Sequence, residues 1–239
     1  MAYGCWTRRN FEIGMITFEN VTKIFPLGNT ALHDVSFEIE ENEFVFLVGS
    51  SGAGKTSILK LIMRSLIPTS GSVIVDNFDL STSKFKETEK LRRSLGVVFQ
   101  DFKILSDKNI FENIAIGMEI TGASKKQIKE KVYDVLSLVG LKDKAQVFPI
   151  QLSAGELQRI AIARAVCGNR HIILADEPTG NLDPKTTWDI IKIFKKLEGK
   201  KTFIIATHNT DIVNSLKKRV LILKDGRLIK DIRKGGYEI

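Results

Sequence analysis

Lys55 and Thr56 stand near the end of a stretch that reads Gly49-Ser50-Ser51-Gly52-Ala53-Gly54-Lys55-Thr56-Ser57. An apolar run, Phe44 to Val48, precedes it, and an amphipathic one, Ile58 to Ile62, follows. Strand, glycine-rich turn and helix in that order make an anion cradle. Gly49, Gly52 and Gly54 let the chain turn back with its N–H groups pointing inward. Those donors, with Ser50, Ser51 and Ala53 between the glycines, act together with the positive end of the following helix. Lys55 adds a point charge that reaches the outer phosphates of a nucleotide, the Thr56 hydroxyl is a ligand for Mg²⁺, and Ser57 offers one more donor. The stretch is therefore expected to hold a nucleotide by its phosphates.

Three more strand ends carry chemistry. Ile172 to Ala175 is apolar and runs into Asp176 and Glu177. Asp176 is placed to hold Mg²⁺ through water, and Glu177 to act as general base or to orient the attacking water. Gln100 ends the run Gly96 to Phe99, where it can touch the metal or that water and signal to the segment that follows. His208 follows Ala206-Thr207, where a neutral imidazole can hold the γ-phosphate or the water. A second helix start, Leu152-Ser153-Ala154-Gly155-Glu156, combines small residues, a capping pair Ser153…Glu156 and a free hydroxyl. It is a second anion site. Two phosphate-binding helix starts, far apart in one chain, point to two copies that share nucleotide.

Positioning these groups takes a particular run of elements. Ile16–Val21 and Val35–Ile39 alternate apolar and polar residues and read as half-exposed antiparallel strands, with a turn-rich loop over Lys23–Asn29. Phe44–Val48 is apolar throughout, as at the centre of a parallel sheet. Ser72–Asp76 and Gly96–Gln100 read as strands with a polar helix around Phe85–Arg93 between them. From Asp101 to about Pro149 strand signals stop, and Ile110–Ile120 and Lys125–Val139 carry helical periodicity. Ser153–Cys167 is a helix apolar nearly all round. His171–Ala175 and Thr202–Ala206 are strands, and Asp183-Pro184 opens a helix with Asp as cap. Val220–Leu223 and Leu228–Ile232, joined at Asp225-Gly226, read as a hairpin.

The 239 residues suffice for a sizeable core, and 43% hydrophobic with 27% charged residues is the composition of a soluble globular protein. Two cysteines, Cys5 and Cys167, make no disulfide framework, which fits a reducing compartment. No apolar run approaches the ~20 residues that span a bilayer, and Met1–Gly14 lacks the apolar core of a signal peptide. The net charge is +8, and from Lys217 onward eight Lys/Arg face three Asp/Glu, a local +5. That excess suits an anionic surface, membrane lipid or nucleic acid, and equally a solvated basic face. Met15 opens a natural strand, so residues 1–14 are expected to be a disordered extension or an upstream-start artefact.

Taken in order, GSSGAGKT, Gln100, LSAGE, ILADEP, Asn181-Leu182-Asp183 and His208 resemble the nucleotide-binding domain of an ABC ATPase over residues 15–230. The resemblance implies an α/β fold of the P-loop NTPase, ABC type: a mixed central sheet, an antiparallel β subdomain and an inserted helical subdomain at about 101–165. One such domain is expected over 15–235, with 236–239 a tail. It implies ATP and Mg²⁺ as cofactors and an ATP-dependent head-to-tail homodimer, each ATP held between the Gly49–Ser57 loop of one copy and Ser153, Ala154, Gly155 and Glu156 of the other. Glu177 is then the catalytic carboxylate, His208 a switch, Asp183 part of a loop that crosses the dimer, and Phe25 the ring that stacks on adenine. Asp101–Met118 would line a groove for an integral membrane partner at the cytoplasmic face of the plasma membrane. The runs Val98–Lys103, Phe148–Ser153, Ile162–Val166 and Leu174–Asp183 are similar to the cell-division branch; the last is shared with lipoprotein-release and macrolide-export ATPases, and the first two tip the balance to cell division, which implies an FtsX-like partner and control of cell-wall hydrolases. The alternative is the ATPase of a lipoprotein, lipid or macrolide transporter. No nucleic-acid partner is expected, because there is no long coiled-coil insertion and no second cassette. Ala154 stands where glycine is usual, Leu157 where glutamine is common, and Phe25 for the more usual tyrosine. The added methyl of Ala154 should weaken contact with a γ-phosphate.

Overall fold

A strand that is apolar on both faces needs a packed layer on each side, and this chain contains several. The computed structural model describes residues 15–234. In chain order its elements are β1 (Ile16–Ile24), β2 (Thr30–Ile39), β3 (Phe44–Val48), α1 (Lys55–Ile62), β4 (Ser70–Val75), β5 (Phe78–Asp79), α2 (Thr88–Ser94), β6 (Leu95–Val98), α3 (Ile110–Ile120), α4 (Lys125–Leu138), α5 (Ala154–Val166), β7 (Ile172–Asp176), α6 (Pro184–Leu197), β8 (Thr202–Thr207), α7 (Thr210–Leu216), β9 (Arg219–Lys224) and β10 (Arg227–Ile232). The central sheet runs β10-β9-β3-β8-β7-β6, parallel except for β10. An antiparallel sheet, β2-β1-β4-β5, lies beside it. Helices α3, α4 and α5 all lie between β6 and β7. This is the expected architecture.

Alternate residues of each buried strand feed two separate cores. Phe44, Phe46, Ile173, Ala175, Phe203 and Ile205 join α5, α6 and the inserted helices. Val45, Leu47, Ile172, Leu174, Ile204 and Ala206 join α1 and the antiparallel sheet. Phe203 stacks on Phe44 at 5.2 Å between centroids and meets Phe194 of α6 edge-on at 5.6 Å. The central sheet is therefore gripped on both faces, and its strand ends are rigid supports for loops.

Some details depart from the sequence pattern. β6 stops at Val98, so Gln100 sits in a turn and not at the strand end. The chain leaves the sheet there through Phe102 and Lys103, both at positive φ, whose carbonyls accept from the Arg164 guanidinium at 2.9 and 2.7 Å. β5 is only two residues long, and α7 opens on a polar run capped by Asn209, so neither has a clear periodic signal. The Asp225-Gly226 turn forms as expected, but β9 also pairs in parallel with β3, which places the hairpin in the central sheet. Cys5, the expected extension over 1–14 and the tail lie outside the described residues. Cys167 is buried at the end of α5.

Part of the basic C-terminal excess is used inside the fold. Arg219, 3% exposed, donates to Asp231 at 2.8 and 2.7 Å, to Glu43 at 2.9 Å and to the Glu38 carbonyl at 2.7 Å. Lys218 pairs with Glu198, and Arg233 lies 3.7 Å from Glu43. Among the described residues no helix is long and apolar enough to cross a membrane.

Candidate nucleotide site

Parallel strands put their carboxyl ends on one edge of the sheet, which is where open α/β sheets bind ligands. Register aligns the ends here: Val48 lies opposite Thr207, and Asp176 opposite Ala206. The next residues along each strand, Gly49, Glu177 and His208, therefore leave the sheet side by side.

The loop after β3 is shaped by close approach. A Cβ on Gly49 would stand 2.3 Å from the Leu223 carbonyl oxygen and 2.9 Å from the Ala53 Cβ, so only glycine fits between β9 and the loop. Gly54, at φ 105, occupies the N-cap of α1, and no side chain caps that helix. The first N–H groups of α1 are thus left for a ligand. The Lys55 ammonium donates to the Gly49 carbonyl at 2.7 Å and the Ser50 carbonyl at 3.1 Å, folded back across its own loop.

Across from the loop stand the two carboxylates. Glu177 has φ 46, rare for a residue with a Cβ. Its N–H donates to the Ala206 carbonyl at 2.9 Å, and its own carbonyl accepts from Gly180 at 3.1 Å, so the backbone on both sides holds the turn. The side chain is aimed by three groups. His208 Nδ1 lies 2.8 Å and the Lys55 ammonium 3.8 Å from Oε1, while the His208 N–H faces Oε2 at 3.4 Å. Asp176 accepts from the Thr56 hydroxyl at 3.4 Å. Burial pushes its carboxyl above the ordinary range; the Thr56 contact opposes this, and the neighbouring Glu177 charge adds to it. A hydroxyl and a carboxylate oxygen side by side, both facing the cradle, fit a hard divalent cation that completes its shell with phosphate and water. Among the described residues no cluster of three or more His, Cys, Asp or Glu could hold a metal without such help.

A cavity of about 820 Å³ joins these parts. Phe25, Ser50–Ser57, Gln100, Asp176, Glu177 and His208 line it. Asn29, Thr30 and Ala31 line it too, with no motif to announce them: they reach the cavity because the Phe25–Asn29 turn folds over it, closed by a 2.9 Å bond from the Phe25 N–H to the Asn29 carbonyl.

Ser153, Ala154, Gly155, Glu156 and Asp183 are not in this cavity. They form a separate patch. The Ser153 hydroxyl, expected to be free, donates to Glu156 Oε2 at 2.9 Å, and the Ser153 N–H reaches the same oxygen at 2.9 Å. The capping box takes up that hydroxyl, and these bonds hold the Glu156 carboxyl below its ordinary range. Asp183 caps α6 through the Thr186 N–H at 3.0 Å and hydroxyl at 2.6 Å. The Thr186 methyl carbon lies 2.5 Å from where a Gly155 Cβ would stand. Close packing of α5 on α6 therefore sets the second helix start beside Asp183, a link that sequence spacing does not reveal.

The chain belongs to the ABC transporter family of ATP-binding subunits: that family, described as ABC transporter, matches residues 32–180. It is an ABC-type ATPase subunit. Its relatives include the cell division ATP-binding protein FtsE of Bacillus subtilis (strain 168), 46% identical over 93% of this chain and 98% of that protein. FtsE of Escherichia coli (strain K12) is 42% identical over 90% of this chain and 97% of its own length. Among solved structures, the dimeric structure of MJ0796, a bacterial ABC transporter cassette, superposes with a TM-score of 0.83 at 35% identity, over 93% of this chain and all of that one.

Proposed function

We propose that this chain is a Mg²⁺-dependent ATPase that closes head-to-tail with a second copy around two ATP molecules and reopens after hydrolysis. The observation that carries the reading is the split between two sites. One face gathers the phosphate loop, the carboxylates, Gln100 and His208 around a cavity. Another carries Ser153–Glu156 and Asp183, held together but away from that cavity. A second copy is needed to bring the faces together, and the dimeric MJ0796 cassette offers a precedent.

In the closed state the backbone donors of Gly49–Ser57 bind the phosphates and Phe25 stacks on the base. Lys55 leaves the Gly49 and Ser50 carbonyls for the outer phosphates. Thr56, Asp176 and Gln100 would hold Mg²⁺, which would supply charge neutralisation at the phosphoryl oxygens. Glu177 takes a proton from the attacking water. The new bond forms to the γ-phosphorus as the bond to the β-phosphate bridging oxygen breaks, leaving ADP and phosphate. His208 holds the Glu177 carboxylate in line. Ser153, Ala154, Gly155 and Glu156 of the other copy supply the second helix end. The output is mechanical and passes, at the cytoplasmic face of the plasma membrane, to an FtsX-like membrane partner that governs cell-wall hydrolases in division. The identity to FtsE proteins across nearly their whole length supports that assignment over transport.

Lys55→Ala should lose ATP binding. Ser153→Arg should bind ATP as a monomer and fail to dimerise, read by calorimetry and sedimentation. Normal ATP-driven dimerisation of Ser153→Arg would remove the shared-site reading.

A further inference from the structure

Gln158 is a polar side chain, 1% exposed, that does not line the nucleotide cavity. It lies on α5, five residues after Ser153. Its Nε2 donates to the Pro178 carbonyl at 2.6 Å, and among the described residues its Oε1 is buried without a hydrogen-bond partner. A buried amide that satisfies only one of its two groups is costly. An apolar side chain of the same length would avoid that cost but leave the Pro178 carbonyl unserved, so stability gives little reason to prefer either. What distinguishes glutamine is the bond to Pro178.

Pro178 sits in the turn that carries Glu177. The Gly180 N–H donates to the Glu177 carbonyl at 3.1 Å, which makes residues 177–180 a β-turn with Pro178 at its second position. Proline there fits both type I and type II turns, which differ by a flip of the middle peptide, the one that carries the Pro178 carbonyl. Thr179 lacks the positive φ that type II requires. Backbone bonds fix the flanks: the Glu177 N–H donates to Ala206 at 2.9 Å, and the Leu182 N–H to the Thr179 carbonyl at 3.2 Å. The middle carbonyl is held by Gln158. Glu177, at φ 46, reaches His208 and Lys55 from this turn, so a tilt of the middle peptide swings its carboxyl away from both. The same helix also meets the far end of the segment, where Gly155 packs against Thr186 of α6. The stretch from Glu177 to α6 is thus fastened to α5 at both ends.

We propose that Gln158 is a positioning residue for hydrolysis. By holding the Pro178 carbonyl it fixes the turn that aims Glu177, and it ties that turn to the helix whose start would receive the second copy's nucleotide. This rests on the reading of Glu177 as the general base and adds a residue that acts through it.

Gln158→Met, made in the full chain, tests this. The change keeps length and helix propensity and exchanges one unpartnered acceptor for another, so melting temperature and calorimetric ATP affinity should hold. Turnover at saturating ATP should fall about 10- to 100-fold, the scale of a small misplacement of a reacting group. Added to Glu177→Gln, it should slow turnover little further, because the group it aims is gone. Gln158→Glu supplies a donor only while its carboxyl is protonated, so its rate relative to wild type should rise as pH falls. Wild-type turnover of Gln158→Met overturns the inference. So does its full multiplicative loss on top of Glu177→Gln, or weaker ATP binding in place of slower turnover. If Gln158→Met does not fold, the Gln158→Glu profile decides, and a rate ratio indifferent to pH overturns the inference. Slow turnover of Glu177→Gln beside unimpaired Gln158→Met removes only this inference; normal turnover of Glu177→Gln removes the proposed base as well.

Discussion

Replacing Glu177 by Gln separates the two things this side chain does. Its oxygens accept from His208, at 2.8 Å from Nδ1 and 3.4 Å from the backbone N–H. A glutamine oxygen can still accept one of these, so His208 should stay in place. What disappears is the charge, and with it the 3.8 Å approach to Lys55. At an effective dielectric constant of ~20 that attraction is about 4 kcal/mol gross. Most of it is offset by keeping the two side chains only 9% and 15% exposed. Lys55 keeps its bonds to the Gly49 and Ser50 carbonyls and loses a competitor for its charge, so ATP should bind at least as tightly. Loss of a positioned base should lower kcat about 10²- to 10⁴-fold, roughly 3–5 kcal/mol of barrier. Phosphate release at saturating ATP, calorimetric ATP affinity and sedimentation with ATP give the three readings: slow turnover, unweakened binding and a persistent dimer. Turnover at the wild-type rate would refute the base assignment. A tenfold loss of ATP affinity would show that Glu177 supports Lys55 and does not compete for it.

Gly155→Ala pushes a methyl against Thr186; overpacking of this kind costs about 1–3 kcal/mol, or roughly 2–4 °C of Tm per kcal/mol at this size. Adding Thr186→Ser, which removes the methyl and keeps the hydroxyl for Asp183, should restore the melt, and an unchanged Tm in the single variant would refute the packing account. Asp176 has its folded pKa raised, chiefly by burial. The folded state then holds the proton more tightly than the unfolded one, so stability falls as pH rises from the ordinary carboxylate value through the shifted one. Nucleotide-free Asp176→Asn should therefore melt higher than wild type at neutral pH, with the gain vanishing toward about pH 4; a gain that grows in acid contradicts this. Arg219→Ala leaves the partly exposed Glu43 and Asp231 without their cation, at about 1.5–3 kcal/mol in denaturant titrations at neutral pH. Because the Arg219 bond holds the Asp231 carboxyl below its usual range, the stability from that pair is present above the ordinary value and lost as pH falls through the depressed one. The penalty should shrink in acid, and a pH-independent penalty counts against the pairing.

The chemistry of the phosphate loop was legible because it is local. Strand, turn and helix are adjacent in the chain, so Gly49 to Ser57 form their cradle wherever the domain is placed. Asp176, Glu177 and His208 were legible for a similar reason: each follows an apolar run, and apolar runs end at a sheet edge. The caps of α5 and α6, at Ser153 and Asp183, follow from side chains that reach only three residues ahead. What the chain order could not decide was distance between parts remote in sequence. Strand register, not spacing, brings Gly49, Glu177 and His208 to one edge and lets Lys55 and His208 converge on one carboxylate. The turn that carries Gln100 depends on Arg164, 64 residues onward, donating to the Phe102 and Lys103 carbonyls. Gly155 against Thr186 is a contact between helices, and Arg170 over Gly117 one between the segment after α5 and a helix. Nothing in either segment announces them, because close approach depends on where the other backbone runs, and only packing sets that.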